Sequence, residues 1–80
     1  MTTEMLKAAA MNLAKTAGSW NDARRSGSTD SVNLWNKVYA EKAALLQSMG
    51  FEVTPETDED GYAVAVKVNG ERAEVHGLFR

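Results

Sequence analysis

Three carboxylates and a glycine come closest to a chemical motif in this chain. Glu56, Asp58, Asp60 and Gly61 stand at the first, third, fifth and sixth places of a calcium-binding loop. Oxygen ligands at that spacing can wrap a hard cation, and the glycine permits the sharp turn. The pattern then fails. Lys67 holds the twelfth place, where a bidentate carboxylate is required, and the flanking residues alternate as strands do. The acidic run reads as a solvated hairpin loop, and no metal site or cofactor is expected.

His76 is the only histidine, and Glu74 shares its strand face two residues away. A general base needs an orienting partner and a reacting group within reach. No cysteine is present as a nucleophile, and no serine sits on a G-x-S-x-G elbow. The run from Arg25 through Ser26, Gly27 and Ser28 to Thr29 offers hydroxyls before a helix. It lacks the phosphate-loop frame, and helix capping accounts for the same residues. No catalytic residue is assigned, and the chain is expected not to be an enzyme or to take a small-molecule substrate.

The remaining candidates are surface residues. Tyr62–Val68 and Glu71–Val75 are alternating runs around Asn69-Gly70, the turn that favours a two-residue hairpin. Pairing about that turn sets Val68 opposite Glu71, Val66 opposite Ala73 and Val64 opposite Val75. Tyr62, Val64, Val66, Ala73 and Val75 then face the core, joined by Phe51 and Val53. Ala63, Ala65, Lys67, Arg72, Glu74 and His76 take the outer face. Lys67 and Arg72 fall nearly opposite each other, a like-charge pair that Glu74 and Glu52 could neutralise. The alanines beside them make a flat patch suited to a protein partner. A second patch is Trp20 with Arg24 and Arg25, where the tryptophan would anchor an interface if it lay beyond the helix end.

These positions depend on elements that the sequence outlines. Thr2 or Thr3 caps a first helix over about 3–24. Leu6, Ala9, Ala10, Leu13, Ala17 and Trp20 form its apolar stripe, which continues in phase through Gly18. Ser26–Asp30 breaks the chain. A second helix over about 30–49 then presents Trp35, Val38, Tyr39, Leu45, Leu46 and Met49, with Leu34 at the margin. Gly50 supplies a left-handed stop with Phe51 folding back. Strands follow over about 51–55, 62–68 and 71–78, the first held to an edge by Pro55. The expected fold is α+β: two antiparallel helices on one face of a three-stranded antiparallel meander, in a single small domain over 1–80.

Composition narrows the function. Nine Lys and Arg against eleven Asp and Glu give a net charge of −2, which disfavours nucleic acid as a partner. Without cysteine there is no disulfide framework, and Met1–Ala17 carries Glu4, Lys7, Asn12 and Lys15 in place of an apolar signal core. A cytoplasmic setting is expected, and no membrane association. The leading expectation is a small non-enzymatic interaction protein, an accessory subunit, adaptor or inhibitor of the kind bacterial or mobile-element genomes encode. It would bind a protein partner or itself through the outer sheet face or an edge strand. The alanine-rich first helix, with Met5 and Met11 beside it, leaves room for a helix-mediated homodimer. The alternative is a nucleic-acid module using the outer sheet face. A third reading is a small subunit lending one residue to a shared active site.

Overall fold

The computed structural model describes residues 2–75, in the order α1 (Thr3–Ser26), α2 (Thr29–Ser48), β1 (Val53–Thr57), β2 (Ala63–Val68) and β3 (Glu71–Glu74). The sheet order is β1-β2-β3, antiparallel throughout, so β1 and β3 are edges. The α+β plan of two helices on a three-stranded meander is what the sequence outlines.

Each helix end has a local cause. Thr2 Oγ1 accepts from the Met5 amide at 3.3 Å, satisfying a first-turn donor that the helix itself leaves unpaired. Gly27, at φ 76°, closes α1 in the left-handed region, and Ser28 immediately caps α2 through the Ser31 amide at 3.3 Å. Gly50, at φ 91°, ends α2 with paired bonds from Phe51 to the Leu46 carbonyl and from Gly50 to that of Gln47, both 3.0 Å.

α1 is the central element. One side packs on β2 and β3, the other on α2, and α2 meets the sheet only along β1. Small residues make this possible: Ala10, Ala14 and Ala17 are buried with Leu13 against Val66, Val68, Ala73 and Val75. Alanine lets two layers approach one helix closely while keeping the best helix propensity. Leu13, Val66 and Val68 are the largest fully buried side chains. Each contributes about 1.5–3 kcal/mol by burial.

The β2–β3 register is the one the Asn-Gly turn implies: Val68 opposite Glu71, Lys67 opposite Arg72 and Val66 opposite Ala73, with the Val75 amide bonded to the Val64 carbonyl at 2.9 Å. Asn69 and Gly70 have φ values of 49° and 87°, as a type I′ turn needs. The departure lies on the other side. Glu56 pairs with Ala65 but Thr57 pairs with Ala63, so β2 carries one extra residue, Val64. A bulge of this kind breaks the period of two. Ala63 therefore packs on the helix side, and the expectation that it lies on the outer face is overturned. Tyr62 and Val64, expected in the core, are half-buried at the bulged end. β1 begins at Val53 and runs through Pro55, which its edge position tolerates.

Asn21 completes the frame. It is a polar residue on the apolar face of α1, only 3% exposed. Its side-chain amide donates to the Ala63 carbonyl at 2.8 Å and accepts from the Ala63 N–H at 2.9 Å. Those are the two bonds a neighbouring strand would make. Asn21→Ala leaves both groups of the half-buried Ala63 unpaired, with an expected loss of about 1–3 kcal/mol. Urea unfolding measures it, and a loss below about 0.5 kcal/mol contradicts this role.

Candidate functional site

The residues singled out from the sequence separate into two places. Lys67, Arg72 and Glu74 share the outer sheet face, as the alternation implies. Arg72 Nε lies 3.0 Å from Glu56 Oε2, Arg72 Nη1 lies 3.0 Å from Glu74 Oε1, and Lys67 Nζ lies 3.9 Å from Glu56 Oε2. Hydrogen bonds to Glu56 first, then Glu74, push the arginine pKa further up. The like-charged pair is neutralised by Glu56 and Glu74. Glu52 instead gives its amide to the Asn69 side chain at 2.8 Å.

Ala65 corrects a second expectation. It lies between Glu56 and Glu74 in the ladder, and the arginine bridge joining those carboxylates runs over it. The alanine has no exposed surface (0%). The outer face is thus a closed ladder of ion pairs, and the flat alanine patch expected there is missing. His76 lies outside the described residues.

Trp20, Arg24 and Arg25 gather at the other end of α1, together with Tyr62, which the sequence reading had assigned to the core. The Arg24 guanidinium lies 4.3 Å from the Tyr62 ring centre and 4.8 Å from that of Trp20, and Arg25 lies 5.2 Å from Tyr62. Arg24 Nη2 also donates to the Asp60 carbonyl at 3.2 Å. That carbonyl belongs to a loop organised by Asp58, whose Oδ1 accepts from the Asp60 and Tyr62 amides at 2.9 and 3.0 Å. Gly61 has φ 83°, and a Cβ there would sit 3.3 Å from Arg24 Nη1. The acidic run therefore seats an arginine-aromatic stack. Each such contact is worth about 0.5–1 kcal/mol near the surface. Among the described residues no group of three or more His, Cys, Asp or Glu is arranged to hold a metal.

Trp20 also walls a cleft of about 220 Å³ between α1, α2 and β1, with Tyr39, Asn36, Pro55, Thr57, Ala17 and Ala63. Its lining is an indole, a phenol, an amide and a hydroxyl among apolar groups. Trp20 Nε1 and Tyr39 Oη are both buried without a hydrogen-bond partner. Both orphans lie where α2 leans toward β1, the loosest seam in the fold.

α2 departs most from its sequence reading. Trp35, Val38, Tyr39 and Leu46 are half-buried and Ala43 is its one buried residue. Leu45 and Met49, expected to face the core, are 63% and 57% exposed, and Leu34 is 55% exposed. α1 already fills the space over the sheet, so α2 lies to one side and these residues turn outward. Compared with protein-family models, curated proteins and solved structures, the chain finds no match.

Burial raises the Tyr39 pKa above the ordinary tyrosine value of 10.0. The folded protein then keeps the phenolic proton at pH values where the unfolded chain has lost it. Its stabilising contribution is complete below the unfolded pKa and falls as pH rises through the folded one. Tyr39→Phe removes that alkaline decline. It costs less than about 1 kcal/mol near neutrality, because no hydrogen bond is lost. Urea midpoints at about pH 8 and about pH 11 for both proteins check the pair of effects, since a tyrosine of the unfolded chain loses its proton between them. An unchanged alkaline decline in the variant contradicts it.

Proposed function

We propose that this is a non-enzymatic interaction protein that acts by presenting the outer face of α2 to another protein. The observation that carries the reading is the exposure of Leu34, Leu45 and Met49 along one stripe of a helix that buries only a single alanine. Leu34, Val38, Leu45 and Met49 recur at steps of four, seven and four residues, which places them along one side of the helix with Lys37 and Glu41 at its flank. Exposed apolar residues aligned on one side of a helix mark an interaction site more often than scattered single residues do. The cleft beside Trp20 offers no group with a pKa near neutrality, which supports binding over catalysis.

The outer sheet face supports this role less well, because its cations are already paired. The same pairing weakens the nucleic-acid alternative. Lys67 and Arg72 would have to give up Glu56 and Glu74 to reach phosphates. No helix among the described residues is long and apolar enough to cross a membrane.

A photoreactive phenylalanine analogue placed at Leu45, and as a control at Thr54 on β1, tests the reading in cells that make the protein. Leu45 should yield a discrete crosslinked protein species and Thr54 none. Crosslinks from Thr54 alone, or from neither position, overturn it.

A further inference from the structure

Resting on that interaction reading, we propose that the occupant of the α2 face is a second copy of this chain, docked antiparallel through the exposed side of α2 about a two-fold axis that crosses the helix at the level of residue 39. An isologous interface demands that one patch be complementary to itself after rotation. The α2 stripe meets this condition twice. Leu34 and Leu45 lie nearly equidistant from Tyr39, one on each side, so an antiparallel copy brings each leucine to the other's counterpart. Lys37 and Glu41 are centred on the same residue, are both exposed, and lie on the same flank of the stripe. Rotation about the axis then sets Lys37 against Glu41 of the second copy, and Glu41 against Lys37, at once.

The charges are available for this. Neither Lys37 nor Glu41 is in an ion pair with another described residue. Within one helix the order Lys then Glu at a four-residue step is the less favourable orientation, so little is lost when both turn outward to a partner. A parallel two-fold would carry Lys37 and Glu41 to the opposite flank of the second copy, where neither faces the other, so the two opposite-charge contacts belong to the antiparallel arrangement.

Size sets the strength. A stable interface takes about 800 Å² from each partner, about a sixth of the 5014 Å² of accessible surface here. A single helix about 30 Å long, contributing one stripe, falls at or below that. The dimer is accordingly concentration-dependent, with dissociation in the micromolar range.

Sedimentation equilibrium on the full chain tests this with two single variants, Lys37→Glu and Glu41→Lys. Both positions are exposed, and circular dichroism verifies that each variant folds. The wild type should dimerise with rising concentration. Each variant alone carries two like-charge contacts across the axis and should associate at least about tenfold more weakly. An equimolar mixture of the two variants restores both opposite-charge contacts and should recover a heterodimer near wild-type affinity. A wild type that stays monomeric at millimolar concentration overturns the proposal. So do variants that associate as well as wild type, or a mixture no better than its components. A monomer whose position 45 still crosslinks to a different protein overturns self-pairing and leaves the interaction reading in place. A monomer that crosslinks to nothing overturns both.

Discussion

The fold turns on one side-chain amide. Asn21 closes both backbone groups of Ala63, beside the bulge in β2. Buried peptide groups must be paired, and at this position the pairing comes from a helix. One contact therefore ties two things together: the height of α1 over the sheet and the inward turn of Ala63. The Arg24 stack on Trp20 and Tyr62 lies one turn further along α1 and inherits its placement from this lock.

The position of α1 decides what α2 can do. With α1 seated on β2 and β3, α2 is left to cover α1's other side and the β1 edge. Its tie to α1 is partly polar: Lys42 Nζ reaches Asn12 Oδ1 at 3.0 Å and Thr16 Oγ1 at 3.2 Å. The seam toward β1 holds a cleft and two unpartnered polar atoms. A small domain buries a modest fraction of its surface, and this one concentrates the shortfall in a single helix. The exposed leucines of α2 thus follow from the packing, and they provide the surface on which the functional reading rests.

Much of this was legible in the sequence, and the misses have physical causes. The hairpin register was readable because an Asn-Gly turn allows few alternatives. The caps at Thr2, Ser28 and Gly50 were readable because each residue has a specific conformational use, whereas Gly27 as the stop of α1 was not picked out of the Ser26–Asp30 break. Ala63, Tyr62 and Val64 were misplaced because a bulge shifts the alternation, and nothing local marks Val64 as the extra residue. Ala65 was correctly oriented but wrongly exposed, because its cover comes from long side chains on both neighbouring strands. Asn21 did carry a signal. It follows Leu13 and Ala17 at four-residue steps, and a polar residue on such a stripe must find a partner. For Leu45 and Met49 periodicity was a poor guide, because it shows that a helix has an apolar face without showing that the same chain covers it.

The central claim is that α1 and the sheet form one unit locked at Asn21, while α2 is the outer helix that association covers. Residue-resolved amide hydrogen exchange at low and high protein concentration tests it most directly. The Ala63 amide should exchange only through global opening at either concentration. The amides of α2 should exchange faster than those of α1 in dilute solution and slow markedly as concentration rises. An α2 as protected as α1 at every concentration, or an Ala63 amide that exchanges readily, would contradict the account.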